Sequence, residues 1–268
     1  MTTTATETGR HVGPLLRSWR SRRRISQLEL ALRADSSARH ISFIETGRSR
    51  PSEEMVLRLA DHLDVPVRER NTLLVAAGYA PHFPERALDD PALGGMREGL
   101  EQLLRGYEPF PALVVDGTYQ VLAANQGVAL LMEGVSEELL TPPLNSMRLT
   151  LHPRGMAPRI RNFMEWRCHL LHQMDRQLAL MRSAPLRALY DEVTGFPMPD
   201  PCGEERMADR SVPVALPMVI EHGGRTLSFI STIATFNTPL DVTVSELALE
   251  TFLPADPETA AYLRGLTP

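Results

Sequence analysis

Glu165, His169, His172 and Asp175 follow one another at three- and four-residue steps, so a helix through them would align two imidazoles and two carboxylates on one face. Such a donor set could chelate a metal. Cys168 beside His169 suggests a second chemistry, a thiol nucleophile with its base. Histidines on a polar helix face are ordinarily just solvated, and no zinc-protease signature accompanies these. Sequence neighbours on a helix diverge by about a hundred degrees, which separates the thiol from the imidazole. The chain has no nucleophile elbow, P-loop or dinucleotide fingerprint. The expectation is therefore a protein with no catalytic residues, no metal and no cofactor.

The stronger chemical signal is cationic. Residues 10–50 hold ten arginines against three acids, whereas residues 81–268 hold fifteen against twenty-four, and the chain has no lysine. A basic end on an acidic body, with a net charge of -5, points to a polyanion that meets that end alone.

Short helices must carry those arginines. Val12, Leu15, Leu16 and Trp19 recur at helical spacing between Arg17, Arg20, Arg22, Arg23 and Arg24. Ser26 with Glu29 reads as a capping box for a second helix, whose buried side is expected from Leu28, Ala31 and Leu32. Ala34-Asp35-Ser36 is the turn, and Ser37 caps a third helix with Ile41 and Ile44 inward and Arg39, His40, Ser42 and Phe43 outward. Gly47 ends it. Ser52-Glu53-Glu54 starts a fourth helix with Val56, Leu59, Ala60 and Leu63 as its stripe, and a fifth with Leu73, Leu74 and Ala77 stops at Gly78.

Ser26-Gln27, Leu30-Ala31, Ser37, Ile41-Ser42, Ile44-Glu45, Gly47 and Pro51 resemble the lambda-repressor-like, or xenobiotic-response-element (XRE), helix-turn-helix family over about residues 11–78. In that family the turn usually carries glycine and then an apolar residue; Asp35 and Ser36 depart from it, although aspartate tolerates left-handed geometry. The resemblance implies that the third helix enters the major groove of double-stranded operator DNA. Gln27 would touch a phosphate or brace that helix, and Ser37, Arg39, His40 and Ser42 would face the DNA. Arg39 suits direct readout, because a guanidinium can bond guanine O6 and N7 together. Arg48 and Arg50 would meet phosphates. Without DNA, the same pattern would be a five-helix bundle with a solvated basic face.

Pro81, Pro84, Pro91 and Asp89-Asp90 mark a boundary near residue 80, followed by a connecting helix with Leu93, Met96, Leu100, Leu103 and Leu104. Ala112-Leu113-Val114-Val115 and Tyr119-Gln120-Val121-Leu122-Ala123 flank Asp116-Gly117 as a hairpin, and Asn125 is expected to cap a short helix. One long helix is expected through Met156, Ile160, Phe163, Leu170, Met174, Leu178 and Met181. Val212 to Ile220 alternate as an edge strand broken by Pro213 and Pro217, and Gly223-Gly224 turns it into a second strand from Thr226 to Phe236. Thr243 with Glu246 reads as a capping box for a last helix holding Leu247 and Phe252.

This is the element pattern of an α+β domain with an antiparallel sheet. Ala112-Leu113-Val114-Val115-Asp116, Val121-Leu122-Ala123-Ala124-Asn125, Arg148-Leu149-Thr150-Leu151-His152-Pro153, Trp166-Arg167-Cys168-His169 and Leu227-Ser228-Phe229 resemble the MmyB-like ligand-binding domain, which is PAS-like. The resemblance implies a pocket between sheet and helices, with Arg148, His152, Arg159, Phe163, Trp166 and His169 as candidate ligand contacts. A lining of Met, Phe and Trp with sparse Arg and His suits a small apolar or amphipathic effector, a fatty-acid-like molecule among the candidates.

The expected organisation is a disordered tail over 1–10, an all-α five-helix helix-turn-helix domain over 11–80, a linker and helix over 81–108, the PAS-like α+β domain over 109–256 and a C-terminal tail over 257–268. No apolar run approaches membrane-spanning length, the polar N-terminus is no secretory signal, and two cysteines give no disulfide framework. The expected protein is a cytoplasmic, nucleoid-associated, homodimeric bacterial transcription regulator whose operator binding answers to a small-molecule ligand. The alternative keeps DNA binding and makes the second domain a protein-docking or dimerisation module.

Overall fold

The computed structural model describes residues 11–181, 183–198, 215–236 and 239–266, in two units. The first, Met1–Arg86 with Thr238–Ser245, contains α1 (Val12–Arg22), α2 (Gln27–Arg33), α3 (Ala38–Glu45), α4 (Glu53–His62) and α5 (Val67–Ala76). Each is closed by a residue in the left-handed region: Arg24 (φ 55°), Asp35 (φ 48°), Gly47 (φ 74°), Asp64 (φ 47°) and Gly78 (φ 83°). After each, an amide reaches back to a carbonyl of the final turn, as from Ile25 to Arg20, Ser36 to Ala31 and Val65 to Ala60. Asp35 thus supplies the geometry that glycine supplies elsewhere.

Three serines cap the other ends. Ser26, Ser37 and Ser52 accept from the amides of Glu29, His40 and Met55. The reciprocal half of the Ser26 box is absent, because the Glu29 carboxylate takes Arg33 instead at 2.6 Å. Leu16, Trp19, Leu30, Ile41, Ile44 and Leu59 form the core. One expectation is corrected: Leu28 and Leu32 are 61% and 74% exposed, whereas Leu30, Ala31 and Ala34 are buried. A seven-residue helix has room for two apolar stripes in sequence, and packing against α3 and α4 selects the second.

Residues 239–245 also belong to this unit. Val242 donates its amide to the Pro84 carbonyl, Arg86 Nη1 meets Asp241 Oδ2 at 3.0 Å, and Thr243 Oγ1 donates to the Arg86 carbonyl.

The second unit, Ala87–Asn237 with Glu246–Pro268, contains α6 (Gly94–Gly106), β1 (Ala112–Val115), β2 (Val121–Ala124), α7 (Val128–Met132), α8 (Ser146–Leu151), α9 (Phe163–Leu180) and α10 (Ala184–Thr194). Then come β3 (Met218–His222), β4 (Arg225–Thr235), α11 (Val242–Glu246), which starts in the first unit, β5 (Ala248–Pro254) and α12 (Pro257–Leu266). The strands make one antiparallel sheet in the order β2-β1-β5-β4-β3. The β3 strand lies at an edge, with Pro217 just ahead of it; Val212, Pro213 and Val214 lie outside the described residues.

Alternation along β1 and β5 sends Leu113, Val115 and Phe252 into a core with Met147, Trp166 and Leu170 on one face. On the other, Ala112, Val114 and Leu249 meet Leu100 and Leu104 of α6. That is why β1 is apolar at every position.

Several expectations give way here. Asn125 does not cap α7: its Oδ1 accepts from the Ala112 amide and its Nδ2 donates to the carbonyls of Leu104 and Phe110, pinning β1 to the chain ahead of it. The long helix begins at Phe163 rather than Met156, because Pro158 sits in a separate 3-10 turn over Ala157–Arg159. No helix holds Leu247 and Phe252; α11 stops at Glu246 and the next residues form the sheet's central strand. Residues 257–266, expected as tail, form α12, with Thr259 and Leu263 buried.

Candidate nucleic-acid interface and ligand cavity

Glu45, the last residue of α3, is buried at 6% exposure. Its Oε1 accepts from Arg20 Nε at 2.6 Å, and its Oε2 from Arg20 Nη2 at 2.9 Å and Gln27 Nε2 at 2.8 Å. Burial pushes the carboxyl up, but the Arg20 and Gln27 bonds and the Arg20 charge outweigh it and hold Glu45 below its ordinary value. Three helices thus meet at one carboxylate, and the orientation of α3 is fixed by paired charge as well as by Ile41 and Ile44. Gln27 takes the bracing place rather than standing apart as a surface donor.

The outer face of α3 is cationic and partly aromatic. The guanidinium carbons of Arg39 and Arg48 lie 5.2 and 5.9 Å from the Phe43 ring centroid, and neither guanidinium donates a hydrogen bond among the described residues. Ser37 and Arg39 are exposed at the start of α3, and His40 and Ser42 are half-buried beside them. His40 Nδ1 lies 3.2 Å from Ser36 Oγ, which orients the ring. Ser37, Arg39, His40, Ser42 and Arg48 therefore form one surface.

Arg50, expected at a phosphate, is also engaged by the end of α5. Its Nε donates to the Ala77 carbonyl at 3.0 Å, its Nη2 to that of Gly78 at 3.3 Å, and it stacks on Tyr79. Arg23 acts alike, donating to the carbonyls of Leu63 and Asp64. Arg23 and Arg50 therefore cap the C-terminal ends of α4 and α5, where cations are favourable.

In the second unit, a cavity of about 100 Å³ lies between the sheet and the helices. Its walls include Leu113, Leu131, Met147, Leu149, Trp166 and Phe252. Glu250, Ser146 and Thr150 bring polar atoms to it. Glu250, 8% exposed, accepts from Ser231 Oγ at 3.1 Å. Burial pushes its carboxyl up to about 7, against the opposing Ser231 bond.

Of the six expected ligand contacts, the structure brings only Trp166 to this cavity. Arg148 forms a two-pronged ion pair with Glu192, both bonds at 2.7 Å, which ties α8 to α10. His152 accepts from the Arg154 amide and packs edge-on against Phe196. Phe163 is core, and His169 is exposed, stacked on Trp166 from outside. Arg159 donates Nη2 to the Leu131 carbonyl, and its buried Nε and Nη1 have no partner among the described residues. The resemblance led to the right helix at Trp166, but Arg148, His152, Arg159 and His169 do not line the cavity. Arginine and histidine on a surface helix turn outward unless a partner waits inside.

Glu250, Ser146 and Thr150 escaped sequence reasoning. The only signal was one acid within the apolar run from Leu247 to Leu253, and reading that run as helix hid the strand alternation that turns Glu250 to the core. Glu165, His169, His172 and Asp175 are all exposed on α9, and among the described residues no three metal-ligating side chains converge.

A helix-turn-helix domain model matches residues 6–73, and the model described as MmyB-like transcription regulator ligand binding domain matches residues 96–266. Among curated proteins none matches. A solved structure of an RNA-binding light-oxygen-voltage receptor is 13% identical with a TM-score of 0.28, covering 98% of this chain and 62% of that one. A likeness at that level carries no argument. This chain spans less than two thirds of the receptor's length. With both matches in register with the two units, the chain belongs to the MmyB-like transcription regulators, a helix-turn-helix region followed by the ligand-binding domain of that family.

Proposed function

We propose that the protein binds operator DNA as a homodimer through Ser37, Arg39, His40, Ser42 and Arg48, and that a small molecule in the cavity under Trp166 changes operator affinity. The observation that carries this reading is the α3 surface, on which two exposed guanidinia without acceptors among the described residues flank Phe43 while the Glu45 carboxylate fixes the helix behind them. Arg39 reads base edges and Arg48 meets phosphate. Paired half-sites follow from the small area that one such unit can cover.

The cavity favours a chemical ligand over a pure docking module, since docking needs no apolar cavity beside a buried carboxyl. The sheet order β2-β1-β5-β4-β3, with α8 and α9 packed on one face and α6 on the other, supports the PAS-like reading. A long acyl chain exceeds the cavity as it stands, so its walls would have to move to admit one. Ligand and DNA act on each other by linkage, so an effector that weakens operator binding is itself bound less tightly when DNA is present. The reading places the protein with the nucleoid in the cytoplasm.

Fluorescence anisotropy on operator fragments selected from random DNA tests the first half. Arg39→Ala should cost about 1–3 kcal/mol on the selected sequence and relax preference at one position. Unchanged affinity and unchanged preference would remove α3 from the groove.

A further inference from the structure

Glu250 stands on the core-facing side of β5, between Ala248 and Phe252, which pack into the core on that face. Strand alternation calls for an apolar residue there. A carboxylate in such a place is costly without a cation; among the described residues no cation bonds to it, and Ser231 Oγ is its one hydrogen-bond donor. Tyr119, whose phenol accepts from Gln173 Nε2, is the other titratable group that Glu250 acts on. The fold makes little use of this carboxyl, since Ser231 on the adjacent strand is already held by the sheet ladder.

Ser146 provides an independent observation. Its Oγ is buried without a hydrogen-bond partner among the described residues, and it lines the same cavity as Glu250. A buried hydroxyl left without a partner forfeits its hydrogen bond. Of the other walls, Leu131 and Met147 offer no polar group, and the Thr150 hydroxyl is turned to Met156 Sδ at 4.0 Å. An acceptor and a hydroxyl are thus turned to one apolar space.

We propose that Glu250 and Ser146 form the polar end of the ligand site, and that the effector is a compact apolar molecule ending in a hydrogen-bond donor, an alcohol or a primary amine, rather than in a carboxylate. The proposal rests on reading the cavity as the ligand site. A ligand hydroxyl donates to the Glu250 carboxyl and accepts from Ser146. An ammonium makes Glu250 its counter-ion. A ligand carboxylate must share a proton with Glu250 or face it at like charge. Size is bounded as well: about 100 Å³ is less than the roughly 150 Å³ of an engineered cavity that holds benzene, so five or six non-hydrogen atoms fill it.

The full chain carrying Trp19→Phe leaves Trp166 as its single indole reporter in the cavity wall. It is titrated above neutral pH with 1-pentanol, pentylamine, butanoate and benzene, which have equal numbers of non-hydrogen atoms. The alcohol and the amine should bind on the order of tenfold tighter than butanoate. Glu250→Leu, close in volume, should erase that preference and keep benzene binding, and Ser146→Ala should weaken pentanol several-fold. Butanoate binding as tightly as pentanol, or an order unchanged in Glu250→Leu, overturns the polar-end assignment and leaves the cavity reading standing. Binding of none of the four, benzene included, overturns the cavity reading and the assignment together. Should Glu250→Leu fail to fold, Glu250→Gln keeps size and an acceptor without charge; it must lose the preference for amine and keep pentanol, and retention of amine binding overturns the assignment.

Discussion

Arg20 holds Glu45 at both carboxylate oxygens, with Nε to Oε1 at 2.6 Å and Nη2 to Oε2 at 2.9 Å, across twenty-five residues of sequence. The pair is nearly dry, with side-chain exposures of 13% and 2%. Arg20 Nη1 also donates to the Ile25 carbonyl, so one guanidinium fixes the end of α1, the entry to α2 and the end of α3. Glu45→Ala leaves that guanidinium buried without its anion and should cost about 3 kcal/mol of stability, read from chemical denaturation. Operator affinity should fall too, in variants that remain folded, because α3 loses its brace. A loss under about 1 kcal/mol would mean that apolar packing alone orients the helix.

Gly13 makes a prediction of opposite sign from helix propensity. Alanine inside a helix ordinarily gains up to about 1 kcal/mol over glycine. Here a Cβ would run into the carbonyl oxygens of Ile44 and Glu45, the latter at 2.7 Å, and both are backbone atoms that cannot turn aside. Gly13→Ala should therefore destabilise by about 2 kcal/mol through overpacking. Thermal unfolding decides between the signs.

Arg48 and Arg50 are two residues apart and should separate cleanly. Arg48→Ala removes an exposed guanidinium that only stacks on Phe43, so stability should barely move while the salt dependence of DNA binding flattens by about one unit of slope. Arg50→Ala removes two bonds to the end of α5 and a stack on Tyr79, and should cost about 1–2 kcal/mol with the slope unchanged. Denaturation and salt titration of both variants read the two axes independently.

The helices of the first unit were legible because each signal is local: Ser26, Ser37 and Ser52 cap within three residues, and Asp35 takes the left-handed turn by itself. The roles of the arginines were not. Arg39 and Arg50 are equivalent in composition, and only the arrival of the Ala77 and Gly78 carbonyls beside Arg50 distinguishes a cap from a surface cation. Strand β5 was missed for a related reason. Its apolar run is compatible with helix or strand, and pairing with β1 and β4, more than a hundred residues and about twenty residues away, settles the matter. With the strand went Glu250, whose inward direction exists only in a two-residue period.

Glu250 should leave its mark on stability against pH. Its carboxyl moves from an ordinary 4.5 up to about 7 in the folded protein, chiefly by burial, so between those values the folded chain holds a proton that the unfolded chain has released. Stability then falls as pH rises from about 4.5 and levels off above about 7, the reverse of an ion-paired acid such as Glu45. The full span is about 3 kcal/mol at 1.36 kcal/mol per unit. Other acids add their own slopes, and these cancel in the difference between the native chain and Glu250→Gln. That difference should be flat below about pH 4.5 and should grow in favour of the variant up to about pH 7. A difference that stays flat through that window would show that water or a bound cation already compensates the Glu250 charge.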